Sequence, residues 1–350
     1  MSSTKEGGTA ATAEQLDSMS LSESVERKEN DTATTENGTP TKMCSACGET
    51  NDTLKTCTAC KCVWYCDRAC QKKHRDEHKH ECKRIKKVLH KRGGKLDLGT
   101  ELDIGPIGKL PPQEECPICM RALPIHSMLH SYFACCGKVI CCGCSHQHRK
   151  TSATLVPTCA FCRTRMPESE QDFLVPLRKR VEGKDPCALI NLAMAYGLGE
   201  LGLSVDQAKC IDLLRESASL GLPFAQYRLG VFHYEGEMGL EQNGEEGIKY
   251  FEEAAEGGHL LARYNIGCIE EAGFNFVVAM RHWRLSASGG LKFSMNSLIE
   301  CFQGGLLYCG DLAETLQAMY RARAEMKSEN RDQFIEHLKK NGEYQAEYEC

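Results

Sequence analysis

The chain has 350 residues, 43 of them Lys or Arg and 48 Asp or Glu, for a formal net charge of −5. That length predicts two or three domains, and so even a charge balance argues against nucleic acid as a partner of the whole molecule. No run of about 18 apolar residues is present, which argues against a spanning helix. The opening MSSTKEGG offers neither an apolar signal core nor a glycine at position 2 for myristoylation, so the chain reads as intracellular, cytoplasmic or nuclear, with no membrane partner.

The informative count is 23 cysteines, of which 17 fall between Cys44 and Cys162. In a reducing compartment disulfides do not persist, and thiols spaced C-x-x-C read as metal ligands. Cys187, Cys210, Cys268, Cys301, Cys309 and Cys350 are scattered singly and read as small buried hydrophobes.

Residues 1–42 are rich in Ser, Thr, Glu and Gly with no aromatic residue, a composition that cannot offset its ordering entropy, and are expected to be a disordered tail. Residues 43–92 form the first Cys/His block: Cys44-x2-Cys47, Cys57-x2-Cys60, Cys66-x3-Cys70 and His78-x3-Cys82. Eight ligands in four pairs are what two tetrahedral zinc ions require. A C-x-x-C turn offers two thiolates to one ion, and x3 spacing sets two ligands one turn apart on a helix face. The pairs can fill two sites consecutively, or first with third and second with fourth; the interleaved order ties together a segment too short for its own core.

The string from Cys44 to Cys82 resembles a MYND-type zinc finger. The resemblance implies that Cys44, Cys47, Cys66 and Cys70 hold one ion, that Cys57, Cys60, His78 and Cys82 hold the other, and that Cys62 is surplus. A structural zinc of this kind contributes roughly 10–16 kcal/mol of apparent binding free energy, enough to make folding metal-dependent. It further implies a protein-interaction module, in some members a grip for proline-containing peptides. Tyr65 and Gln71 match the family pattern beside their ligands, Gln71 being a candidate partner contact. Arg75 departs from it, standing where many members carry a Trp of the peptide groove.

From Gln71 to Arg92 ten basic residues stand against three acidic ones. This run reads as a solvated helix whose buried side is committed to His78 and Cys82, because no aromatic residue interleaves the charges as a base-stacking platform requires. His74, His80 and His90 are expected at the surface. Residues 93–115, with Gly93, Gly94, Gly99, Gly105, Gly108 and Pro111-Pro112, read as a linker.

The second block, residues 116–163, pairs Cys116 with Cys119, Cys135 with Cys136, Cys141 with Cys144, and Cys159 with Cys162. Its order and spacing resemble a RING finger. Lys138 occupies the family's histidine slot, and a protonated amine has no lone pair for a metal. Cys135 is the natural substitute, with His146, His148 and Cys142 as rivals. The resulting assignment gives Cys116, Cys119, Cys141 and Cys144 to one ion and Cys135, Cys136, Cys159 and Cys162 to another, four zinc ions per chain in all. The resemblance implies recruitment of a ubiquitin-conjugating enzyme, with Ile118 as apolar contact and Arg163 as the basic residue reaching ubiquitin, a role suited to a guanidinium. Catalytic cysteine chemistry is not expected, since a zinc-bound thiolate is no free nucleophile.

From Asp185 the chain repeats itself. Ala188-x3-Leu192-Ala193, Ala225-x3-Leu229-Gly230 and Ala262-x3-Ile266-Gly267 align, as do Leu214, Phe251 and Trp283, then Gly221, Gly258 and Gly290. Such units are helix pairs in which small residues allow close backbone approach and large ones fill the gap; the glycines suit left-handed helix stops. Residues 185–326 resemble Sel1-like repeats, relatives of the tetratricopeptide class, which implies a surface for protein partners. A fourth unit opens at Ser294, Leu298 and Ile299 and is completed by a helix near 312–326. Tyr196, Tyr227, His233 and Tyr234 serve either the groove or the core. Residues 327–350 are read as a C-terminal tail.

The predicted architecture is multidomain: small zinc-stabilised α+β fingers followed by an all-α repeat solenoid. The predicted function is an intracellular protein–protein interaction adaptor, with a RING-type ubiquitin ligase as the enzymatic alternative and a chromatin- or nucleic-acid-associated regulator as the second. A lysine methyltransferase is set aside because the repeats occupy the length its catalytic domain needs. His233, His259 and His282 have no partnered nucleophile at a recognisable spacing.

Overall fold

The structure is a computed structural model that describes residues 42–50, 53–91, 102–152 and 157–344. The tail expected over 1–42, apart from Lys42, lies outside the described residues, as do the first part of the linker and the last six residues of the chain. Among the described residues no helix is long and apolar enough to cross a membrane.

In the first block, strands β1 (Lys55–Thr56) and β2 (Trp64–Tyr65) pair antiparallel, with Lys55 opposite Tyr65. Helix α1 (Arg68–Lys73) starts at Asp67, whose carboxylate accepts from the Cys70 amide at 2.8 Å, a cap that fixes the turn carrying the ligand. Helix α2 (Arg75–Lys91) follows at once, its buried stripe His78, Glu81, Ile85, Val88 and Leu89 at helical spacing and its basic residues Lys83, Lys86 and Lys87 in solvent.

In the second block, β3 (His130–Phe133) and β4 (Lys138–Cys141) form a hairpin leading into α3 (Cys142–Thr151). A helix not foreseen in sequence, α4 (Glu170–Glu182), is capped by Ser169 and buries Leu174 and Leu177 against the arm.

The arm is four helix pairs: α5 (Pro186–Leu198) with α6 (Gln207–Ser219), α7 (Pro223–Glu235) with α8 (Gly244–Glu256), α9 (Leu260–Ala272) with α10 (Phe276–Ser288), and α11 (Lys292–Gly304) with α12 (Cys309–Met326). Small residues sit where the partner helix presents bulk. A Cβ on Gly230 would lie 2.6 Å from the Phe251 ring, and one on Gly267 would lie 2.4 Å from Trp283. The repeat therefore depends on a matched pair, a missing side chain facing an aromatic one. Gly221, Gly258 and Gly290 have φ of +82°, +92° and +107°, the left-handed stops expected from sequence.

Two expectations change. Over Glu329–Asn341 the C-terminal tail is helix α13, capped by Ser328 and packed on α3 through Phe334 and His337 against His146. The stretch read as a linker is packed on the arm over 102–111: Ile104 is buried, the Leu102 amide donates to the Leu306 carbonyl at 2.9 Å, and Arg281 and Arg284 donate to the carbonyls of Ile104 and Gly105. Its glycines and prolines mark the absence of regular structure, which does not prevent an extended chain from burying its few apolar side chains.

The apolar residues of the first finger, Val63, Tyr65, Ile85 and Leu89, belong to one hydrophobic cluster with Trp283, Phe302, Leu316 and Tyr320 of the arm. A separate cluster joins α4 to α7, the second finger has one of its own around Phe133 and Ile140, and a small fourth one packs α8 on α9.

Candidate metal centres

The structure brings together four sets of side chains whose ligand atoms lie within 4.8 Å of one another: Cys44, Cys47, Cys66 and Cys70; Cys57, Cys60, His78 and Cys82; Cys116, Cys119, Cys141 and Cys144; and Cys135, Cys136, Cys159 and Cys162. These are numbered here as centres one to four. Sulfur–sulfur separations of 3.5 Å (Cys47–Cys66), 3.8 Å (Cys57–Cys82), 4.0 Å (Cys119–Cys141), 3.9 Å (Cys136–Cys159) and 3.4 Å (Cys135–Cys162) sample all four. A tetrahedron with zinc–sulfur bonds of about 2.3 Å has edges of about 3.8 Å, so the donor sets fit that ion in both chemistry and size.

Within each set the crowded thiols pull one another apart, one being lowered while its neighbours, Cys66 and Cys70, Cys60 and Cys82, Cys141 and Cys144, and Cys135 and Cys136, are pushed up. Hydrogen bonds from Cys60 and then Cys82 hold Cys57 well below the usual thiol range, and Cys141 with Cys144 does the same for Cys116. Burial pushes Cys44 and Cys162 up but is outweighed, by the amide of Ala46 in the first case and by Thr164 in the second, leaving them at about 7 and about 6. A thiolate is the form that binds metal.

Local structure explains each convergence. His78 Nε2 lies 3.2 Å from Cys60 Sγ because α2 turns that face toward the Cys57–Cys60 knuckle. The adjacent pair Cys135 and Cys136 can serve one centre because it stands in the tight turn of the β3–β4 hairpin, where the amides of Cys136 and Gly137 both donate to the Phe133 carbonyl and Gly137 has φ +69°. Arg180 of α4 clamps this turn, donating to the carbonyls of Ala134 at 2.8 Å and Cys135 at 3.3 Å.

The rivals for the missing histidine point elsewhere. Lys138 places its ammonium 5.8 Å from the Phe161 ring centroid, Cys142 lies 3.4 Å from the Ser131 hydroxyl, His148 bonds Thr158, and His146 stacks on α13. Of the partner-contact candidates, Gln71 is exposed, Ile118 is 42% exposed, and Arg163 has its guanidinium 3.0 Å from His148 Nδ1. In the arm, Tyr196 is buried under Lys209, His233 stacks on Tyr250 and Tyr234 packs on Phe251, each on the partner helix of its own pair, while Tyr227 stacks on His259 at the start of the next.

His74, expected at the surface, is buried: its Nδ1 meets the Tyr65 hydroxyl at 3.0 Å and its ring stands edge-on to Tyr320 at 4.3 Å. Its place one turn before His78 puts it on the same inward face of the finger. Desolvation there lowers its pKa to about 4.

Sequence reasoning missed what the arm and α13 bring to the centres. The Tyr320 hydroxyl lies 3.2 Å from His78 Nδ1, surplus Cys62 lies 3.5 Å from Cys309 Sγ, and Arg331 and Asn330 reach the thiols of centre three. No spacing in the sequence announces partners more than 180 residues away.

Two protein-family models match the chain: MYND finger over residues 44–82, and Sel1 repeat over residues 188–222 and 223–259. Among curated proteins, the chain is 44% identical over 45 residues to "Histone-lysine N-methyltransferase ASHR1" of Arabidopsis thaliana, covering 13% of this chain and 9% of that protein. It is 35% identical over 78 residues to "SET domain and MYND-type zinc finger protein 6" of Schizosaccharomyces pombe, covering 22% of this chain and 15% of that protein. The matched part is thus under one sixth of either relative. Among solved structures, a Sel1 repeat protein from Oxalobacter formigenes is 27% identical, with 36% of this chain and 97% of that one covered at a TM-score of 0.34. A protective antigen of uropathogenic Escherichia coli with an SLR fold is 23% identical, with 51% and 38% covered at 0.40. Residues 44–82 are therefore a MYND zinc finger and residues 188–259 two Sel1 repeats, so the chain joins two kinds of protein-interaction module.

Proposed function

We propose that the protein is a zinc-dependent adaptor that holds four zinc ions and uses them to mount two interaction fingers on a helical-repeat arm. The observation that carries this reading is the convergence of four complete donor sets, the ligand atoms of each within 4.8 Å of one another. The mounting is firm at several points: Arg84 of α2 donates to Asn296 at 2.7 Å and pairs with Glu300, and the fourth centre's hairpin is clamped by Arg180 and by Tyr132, which donates to Asp185. Heads fixed in this way hold their partners at a set separation, which is what an adaptor contributes beyond the affinity of each head. Native mass spectrometry of protein purified under reducing conditions is expected to give four zinc ions per chain. A count of two would take the second block out of the reading, and a count of zero would end it.

A second reading, a RING-type ubiquitin ligase whose arm selects substrate, draws support from apolar side chains left in solvent on the zinc knuckles: Ile118, Met120 and Phe161 are 42%, 69% and 43% exposed. Arg163 would first have to leave His148. Autoubiquitination with a purified conjugating enzyme tests it. Activity lost in Ile118→Ala supports a ligase, whereas wild type at background removes it.

A further inference from the structure

Three of the four ligands of centre three are buried, Cys116 and Cys141 with no exposed surface and Cys144 with 3%, and Cys119 is half-buried. Four thiolates around one divalent zinc carry a net charge of −2, and a buried charge needs compensation. Helix α13 meets that requirement from the other end of the chain. Arg331, 8% exposed, directs its NH2 group to Cys119 Sγ at 3.6 Å. Asn330 Nδ2 lies 4.0 Å from Cys144 Sγ. The other terminal nitrogen, NH1, is held by carbonyls, donating to Ala122 at 2.7 Å and to Met326, while Nε is buried with no hydrogen-bond partner among the described residues.

The backbone is built for the approach. A Cβ on Gly143 would lie 2.7 Å from the Arg331 amide nitrogen and 2.8 Å from its Cα, so only glycine lets α13 dock between Cys142 and Cys144. Asn330 and Arg331 both stand in the first turn of α13, which starts at its Ser328 cap. The converse also holds: Arg331 is 8% exposed with its NH2 group on the Cys119 sulfur, so its buried charge is compensated when the metal keeps those ligands as thiolates.

We propose that α13 is an integral part of centre three: Arg331 and Asn330 are positioning residues that donate to metal-bound thiolates, so that metal occupancy of this centre and docking of the C-terminal helix are one linked equilibrium. The proposal rests on the reading of the second block as metal-holding. Linkage makes the coupling reciprocal: the metal strengthens helix docking by the same factor as the docked helix strengthens metal binding. Partners of metal ligands typically contribute about 10–100-fold to metal affinity.

The test uses the full-length zinc-loaded chain. Native mass spectrometry during an EDTA challenge is expected to show Arg331→Ala releasing one ion about 10–100-fold more readily than wild type, with Arg331→Lys, which keeps the charge and loses the fork, in between. In the reverse direction, hydrogen exchange on Cys119→Ser is expected to show lost protection over 329–341, with α5 to α8 unchanged. Should Arg331→Ala fail to fold, Asn330→Ala removes one donor without a charge and carries the same comparison. Ion retention unchanged in the folded variants, or α13 fully protected in Cys119→Ser, overturns the proposal. A wild-type count of two ions instead defeats the four-centre reading beneath it, and is distinguishable because no variant is needed to see it.

Discussion

The Tyr320 hydroxyl and His78 Nδ1 stand 3.2 Å apart, joining the last helix pair of the arm to an imidazole whose other nitrogen faces the thiols of centre two. With Nε2 given to a metal, Nδ1 carries the proton and donates it to the phenol oxygen, which fixes both tautomer and ring orientation. Both side chains are buried, so the bond has no competing solvent. Tyr320→Phe is expected to weaken metal retention at centre two by about tenfold and to leave centre one unchanged. Chelator competition followed by mass spectrometry reads it; equal retention in wild type and variant would show that the hydroxyl only fills space.

Metal removal should divide the arm. The first finger shares its hydrophobic cluster with α10 to α12, whereas α5 to α7 pack with α4 in a second cluster that, among the described residues, the second finger touches only through Ala134 and Tyr132. Complete chelation under reducing conditions is expected to expose residues 42–91 and to lower amide protection in α10 to α12 while α5 to α8 keep theirs. Uniform loss along the arm, or none, would contradict this division.

The small-against-large pairing within repeats predicts a sharp local cost. Gly267→Ala places a methyl where the Trp283 ring lies, at 2.4 Å, and is expected to destabilise by about 1–3 kcal/mol. Gly304, also helical, meets nothing within 4 Å, so Gly304→Ala is expected to be neutral or to gain up to about 1 kcal/mol. Thermal melts of the two variants beside wild type decide it.

His259 gives the arm a pH dependence. Desolvation lowers its pKa from 6.5 to about 4, its ring stacks on Tyr227 at 4.3 Å, and its Nδ1 accepts from the Ala262 amide, a bond that protonation removes. Between those values the unfolded chain takes up a proton that the folded one refuses. The contribution is therefore complete above pH 6.5 and is lost progressively as pH falls toward 4. His259→Asn keeps the helix cap and cannot titrate, so the drop in urea midpoint from pH 7 to pH 5 is expected to be smaller than in wild type. An identical drop would assign the dependence to other groups.

The ligand pairs and the repeat were legible in sequence because both rest on short-range geometry. A C-x-x-C knuckle offers two sulfurs to one point wherever it occurs, and Leu192, Leu229 and Ile266 recur because each repeat must bury the same helix face. His74 was misread for want of a local signal. Its neighbours in sequence are polar, and what buries it are Tyr65 of the preceding strand and Tyr320 of the arm.

The sequence by itself determined which donors belong to which block and that helix pairs of matched small and large residues would follow, since those outcomes depend on residues a few positions apart. Only the tertiary structure decided that the fingers are built into the arm, that the glycine- and proline-rich connection lies along it, and that Tyr320, Asn330 and Arg331 complete the surroundings of the metal centres. The reason is physical: a buried thiolate or imidazole needs a hydrogen-bond partner of the right chemistry at about 3–4 Å, and any part of the chain that packs there can supply it.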